Sequence, residues 1–354
     1  MFSEMKKLKS LVIVMVYLTL ATNIYANTPP VVSNVTAAQR EDNSNLIDIY
    51  YDLDDAEGDT CTVWVMVSDN NGESWRVPAD SFSGAFGQGI DPGINKHVVW
   101  DAGQDMPGKI GNFKARVLAD DGNESDSMVL VPGGWFPYQN VSQPEDWIFV
   151  DSFLIDKYEC TNLSYCQFLN NADPTGEHWD SRMEIDRMGD AGNYYYEVHP
   201  GRDNYPVVWV NYHDTEAFAA WKSNQTGLTY RLPTEQEWEK AAGWDYDEQH
   251  HYTYGFHSDT IDCSKCNYNM CVGVPTIVGS YDPYKSYYGC YDMSGNVHEW
   301  TSSMMSLEQP NSRVLRGGHF LYDASYSAVT NRHYIGNLIY RDDRTGFRLV
   351  RDLD

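Results

Sequence analysis

Hydrophobic and polar positions alternate with a period of two through residues 27–126. Cys61, Val63, Val65 and Val67 fall on one strand face and Thr62, Trp64 and Met66 on the other; Phe113, Ala115, Val117 and Ala119 repeat the alternation. LIDIYYDL and HVVWDA read as further strands, separated by the turn-forming stretches DNNGES and DPGINK. Nothing in this region has helical spacing. The pattern therefore predicts a small all-β sandwich of immunoglobulin or fibronectin type over 27–126. Its acidic stretch DLDDAEGD lacks the EF-hand order of ligands and glycine and reads as a solvated turn.

From about Val129 the periodic runs shorten and three helices can be placed by their caps. In TNLSYCQFLN, Thr161 or Asn162 caps a helix that buries Tyr165, Phe168 and Leu169. In VNYHDTEAFAAWKSNQTG, Asn211 is the cap, Phe218 and Trp221 point inward, and Gly227 ends the helix. In LPTEQEWEKAAGW, Thr234 and Glu237 form a capping box ahead of Trp238 and Ala241. Short strands and long loops fill the rest, giving an α+β domain over 127–354.

Residues 1–26 stand apart. Lys6, Lys7 and Lys9 precede the apolar LVIVMVYLTLA and a small-residue end, the arrangement of a secretory signal peptide cleaved after Ala26. The apolar run is too short to span a bilayer, so the reading is a secreted or periplasmic chain with no membrane span once mature. The formal net charge of -26 repels phosphate backbones and anionic lipid heads, which argues against nucleic acid and favours divalent cations. With 26 Tyr and 11 Trp, the aromatic content suits irregular, loop-rich packing with polar tips at the surface.

Five ordered stretches carry a resemblance: FLIDKYECTNLSYCQFLN, YPVVWVNYHDTEAFAAW, TYRLPTEQEWEKAA, YGCYDMSGNVHEWTSS, and RVLRGGHF followed by TGFRLVR. Together they closely resemble the formylglycine-generating enzyme, or sulfatase-modifying-factor, family. The resemblance implies a variant of the C-type-lectin fold, with a fibronectin-like module ahead of it. Enzymes of that family oxidise a substrate cysteine to formylglycine with oxygen and a copper ion held by two pocket cysteines, because a soft sulfur pair favours Cu(I). Carried onto this chain, the two cysteine positions are Tyr322 and Ser327, and the serine that usually follows the Gly-Gly is His319. All seven cysteines lie before Tyr291. The scaffold is thus expected without the oxidase chemistry, with no copper and no catalytic residue.

The same resemblance implies a structural calcium at Asp292 and Glu299 with the carbonyls of Gly295 and Val297, and a second calcium site beginning at Asn267 and Tyr268. Calcium wants six to eight oxygens, which a turn rich in carboxylates and inward carbonyls supplies. Cys263, Cys266, Cys271 and Cys290 lack the paired spacing of a zinc ribbon, and in an exported chain two disulfides of open connectivity are expected. Cys61, Cys160 and Cys166 read as buried thiols. His250, His251 and His257 read as surface histidines.

His319, Tyr322, Asp323, Tyr326, Ser327, Asn331, His333 and Tyr334 compose an adaptable binding face, in which Tyr brings rigid amphipathic area and Ser and Asn bring hydrogen bonds. About half of the aromatic and polar positions in this segment are expected to be packing residues. The sequence therefore points to a non-catalytic ligand-binding or surface-presentation module whose extracytoplasmic ligand is a protein, peptide or glycan. The alternative is a formylglycine-generating oxidoreductase or a divergent metal-dependent oxidase on the same scaffold.

Overall fold

The computed structural model describes residues 28, 30–108, 113–121 and 127–353. The expected signal peptide lies outside the described residues. In the N-terminal part, Val31–Gln39, Leu46–Asp54, Gly93–Asp101 and Phe82–Gly84 form one antiparallel sheet in that order. Gly87–Ile90, Cys61–Ser68 and Lys114–Asp120 form a second. The two strands whose alternation is clearest are direct partners: Val63 faces Ala119, Val65 faces Val117 and Val67 faces Ala115.

Ile49, Val63, Val98 and Trp100 fill the core between the sheets, and the buried Trp100 indole donates to Asp105 at 2.7 Å. Met66 departs from the expected outward face and is buried. The Ser152 hydroxyl meets its sulfur at 2.8 Å, so the C-terminal part covers this side of the strand.

The C-terminal part is mixed and rich in sheet. Tyr230–Arg231, Val350–Asp352, Phe153–Asp156 and Met128–Val131 make one antiparallel sheet, which joins the end of the domain to its beginning. A second sheet runs His333–Ile335, Arg313–Arg316, His298–Trp300, Thr345–Gly346, the last pair being parallel. It carries the site.

The three helices start where their caps place them. Asn162–Ala172 is capped by Thr161, whose hydroxyl accepts from the Ser164 N–H. Tyr212–Thr226 is capped by Asn211 in a reciprocal box with Asp214, and Gly227 closes it at φ +75°. Glu235–Gly243 has the Thr234–Glu237 box. Each cap satisfies backbone donors that a helix start leaves orphaned, worth about 1 kcal/mol. Tyr165, Phe168, Phe218, Trp300 and Phe347 pack as one apolar cluster and Trp238, Trp244, Met293 and Val329 as another.

Candidate functional site

The strand Arg313–Arg316 ends on Gly317 and Gly318, which turn the chain out of the sheet. Gly318 has φ +73°, and a Cβ there would lie 2.7 Å from the Tyr326 carbonyl oxygen, so the turn requires glycine. Residues 319–332 leave this turn as a loop over the sheet. Ion pairs fix its frame. Arg316 binds Glu239 and donates to the Asn331 carbonyl at 2.9 Å. Arg332 grips Glu235 through two bonds of 2.6 and 2.8 Å.

Arg348 grips Glu299 through two bonds of 2.7 Å, and the Trp238 indole donates to the same carboxylate at 2.8 Å. Charge-assisted forked contacts of this kind hold geometry as well as energy.

Within this frame the structure brings together five rings. His298 stacks on His333 at 5.0 Å between centroids and meets His319 edge-on at 4.9 Å. Tyr322 lies 3.8 Å from His319 and 4.5 Å from Tyr326. Burial first, then neighbouring rings and Arg344, pushes His298 well below the usual imidazole range and His319 down to about 4. Burial also lowers His333. All three are therefore neutral at pH 7.

His298 lies outside the expected face and reaches the cluster from the strand His298–Trp300, at the end of the stretch to which the resemblance assigns calcium. A histidine two residues before Trp300, the spacing that puts both on one strand face, is the available signal.

The expected face divides by exposure. Asp323, Tyr326 and Tyr334 are exposed and Tyr322, Asn331 and His333 half-buried, while His319 and Ser327 are buried. Ser327 is thus withdrawn from the surface: its hydroxyl turns to the Asp323 carbonyl at 3.4 Å and its own carbonyl accepts from Ser294. The two positions where the resemblance places copper thiolates hold a half-buried phenol and a buried hydroxyl.

Sulfur lies elsewhere. Cys263 and Cys271 form a disulfide, and Cys61, Cys160, Cys166, Cys266 and Cys290 are free and buried. The expectation of two disulfides is corrected. Cys266 packs with Tyr254 and Phe256, whereas Cys290 packs in the separate Trp238 cluster. Burial raises both thiols, Cys290 to about 11, so neither is a ready thiolate.

The expectation of three surface histidines is corrected for His251, which is buried against Glu239 at 3.2 Å. In the two-residue hairpin of Trp244–Asp245 with His250–His251, alternation turns one histidine in and the other out. His257 pairs with Asp245 at 2.6 Å, and with Glu248 these side chains bring ligand atoms within 4.8 Å of one another.

At the residues assigned to calcium, Asp292 accepts from the Gly279 N–H at 2.6 Å, and burial with neighbouring Glu299 raises it to about 6. Glu159, which the sequence reading missed, is buried nearby. It accepts from Asn296 at 2.6 Å and from the Val297 N–H at 3.2 Å, and burial beside Asp292 and Glu299 holds its carboxyl well above the usual range. Asn267 Oδ1 is buried without a hydrogen-bond partner, an acceptor suited to a cation. Arg348 already supplies positive charge at Glu299.

Comparisons with known proteins bear on this geometry. The model of the sulfatase-modifying factor enzyme 1-like domain matches residues 114–353, a span that begins in the last strand of the N-terminal sheet. Hercynine oxygenase of Mycolicibacterium smegmatis is 30% identical over 200 residues, covering 49% of this chain and 45% of that protein. The inactive C-alpha-formylglycine-generating enzyme 2 of Bos taurus is 33% identical over 159 residues, covering 41% and 49%. This chain thus spans less than half the length of either curated relative. The crystal structure of CarF matches with a TM-score of 0.53 at 22% identity, over 64% of this chain and 98% of that one, a likeness of fold.

Proposed function

The chain belongs to the sulfatase-modifying factor enzyme 1-like domain family, and from that membership we propose that it is a non-catalytic ligand-binding module of an exported protein. One observation carries the reading. Tyr322 and Ser327 stand where copper chemistry of this lineage needs a pair of thiolates, and the free cysteines are buried in other clusters. A phenol and a buried hydroxyl do not replace soft sulfur for Cu(I).

Around them Tyr326, Tyr334 and Tyr340 present exposed amphipathic rings on the loop and its flanks, the composition of an adaptable recognition surface. Likeness to an inactive relative is compatible with this reading. The N-terminal sheets serve in it as a fibronectin-like spacer, and the C-type-lectin-like topology as the scaffold of the face.

Calcium belongs to the same proposal. It would be held by Asp292 and Glu299 with the Gly295 and Val297 carbonyls, and at a second site by Asn267 and Tyr268. A dication there would relieve the raised Asp292 carboxyl and give Asn267 Oδ1 a partner. No helix among the described residues is long and apolar enough to cross a membrane.

The test is to incubate the purified chain with a sulfatase-type cysteine peptide, Cu(I) and oxygen. The peptide is expected to remain unmodified, and an aldehyde product would refute the reading. A second reading, a divergent metal-dependent oxidase, draws on the three neutral imidazoles and on the likeness to hercynine oxygenase. Stoichiometric iron or copper in the protein as purified would favour it.

A further inference from the structure

The ring cluster contains polar atoms that the fold leaves unmatched. His298 is 3% exposed and its Nε2 has no hydrogen-bond partner. Buried polar atoms are almost always paired, so an orphan of this kind points to a group supplied from outside. His319 is more specific still. The Leu321 N–H donates to its Nδ1 at 3.2 Å, and a neutral imidazole that accepts at Nδ1 carries its proton on Nε2. His319 therefore presents a donor.

The charged groups beside the rings are Arg344 and its partners Asp342 and Asp343. The Arg344 carbonyl accepts from the His298 N–H at 2.8 Å, which places this residue against the cluster. Its contacts with Asp342 at 3.3 Å and Asp343 at 3.2 Å are loose, and its side chain is 33% exposed. No carboxylate hydrogen-bonds to His298, His319 or His333 among the described residues.

Three imidazoles also bring a transition metal to mind, but His298 and His333 stack nearly parallel, at 12°, rather than aiming at one point. Among the described residues, the metal-capable set whose ligand atoms converge is Asp245, Glu248 and His257, outside this cluster. A nearby guanidinium further disfavours a cation.

We propose that the site takes a carboxylate group of its ligand, with His319 Nε2–H and the Arg344 guanidinium as donors and His298 Nε2 as a further donor beneath Tyr322. This deepens the binding-module reading and rests on it. Tyr322 covers the pair, with its ring 3.8 Å from His319 and 5.4 Å from His298. Its phenol oxygen makes no hydrogen bond within the described residues, so only ring contacts hold it in place. A swing of this side chain opens the donors to a ligand. Arg344 then matches a carboxylate in shape and charge, as a planar fork with fixed donors.

The experiment is an NMR titration of the full chain, 15N-labelled at histidine, with acetate and, in parallel, with acetamide, its uncharged isostere. Acetate is expected to shift the His298 and His319 ring nitrogens saturably, and acetamide to leave them in place. Arg344→Gln should weaken the acetate response at least about tenfold, the scale of a lost charge-assisted bond. His319→Phe, which keeps a ring in the slot, should abolish it, so the test does not depend on one variant folding.

A missing acetate response, an equal response to acetamide, or unchanged acetate binding in a folded variant would overturn the proposal. So would a saturable response to zinc(II) in place of acetate. Aldehyde formation in the peptide assay would sink the binding-module reading without altering this titration, so the two failures are distinguishable.

Discussion

Replacing Arg348 with Met removes the guanidinium that holds Glu299. Arg348 and Glu299 are both fully buried, and the arginine makes five contacts: two to the carboxylate and one each to the carbonyls of Asp156, Lys157 and Tyr291. Removing it strands a carboxylate beside Glu159 and Asp292, with the Trp238 indole still donating to it. Breaking one side of a buried pair costs about 3–5 kcal/mol, much of it from the abandoned charge.

Arg348→Met should therefore lower unfolding stability by that amount in urea melts followed by tryptophan emission, which the buried Trp238 and Trp300 report. Adding Glu299→Gln removes the stranded charge and should restore at least half of the loss. A loss below about 1 kcal/mol, or no recovery in the double variant, would refute the reasoning that Arg348 neutralises this carboxylate cluster.

Three further outcomes are expected. Gly318→Ala forces a side chain onto φ +73° and into the Tyr326 carbonyl, and should cost about 1–3 kcal/mol, read as a lowered melting temperature. Serine at both Cys263 and Cys271 opens a loop with a sequence separation of 8, which should cost about 2.5 kcal/mol in urea melts; alkylation before reduction should block the five other thiols of the unfolded chain. His319 titrates lower folded, at about 4, than unfolded, so its contribution is fully present above about pH 6.5 and lost as pH falls through about 4; the stability gap between wild type and His319→Asn should shrink over that window, and a flat gap would contradict it.

Much of the fold was legible because its signals are local. Thr161, Asn211 and Thr234 each lie within three residues of the donor they cap, and the strand alternation of Cys61–Ser68 is written in consecutive residues. The Gly-Gly turn announces a conformation that other residues avoid. The site was legible only in part. His319, Tyr322 and His333 follow the turn in one segment, but His298 reaches them from another strand by sheet pairing.

Glu159 meets Asn296 across 137 positions and Glu239 meets Arg316 across 77, separations at which no periodicity carries information. Cys266 and Cys290 misled because spacing says which thiols are near in sequence, whereas their apolar clusters decide which are near in space.

Copper(I) competition against a chromophoric chelator tests the missing sulfur pair most directly. The wild-type chain is predicted to take no copper from the chelator. Transfer of one copper per chain, lost on Tyr322→Phe or Ser327→Ala, would contradict the account.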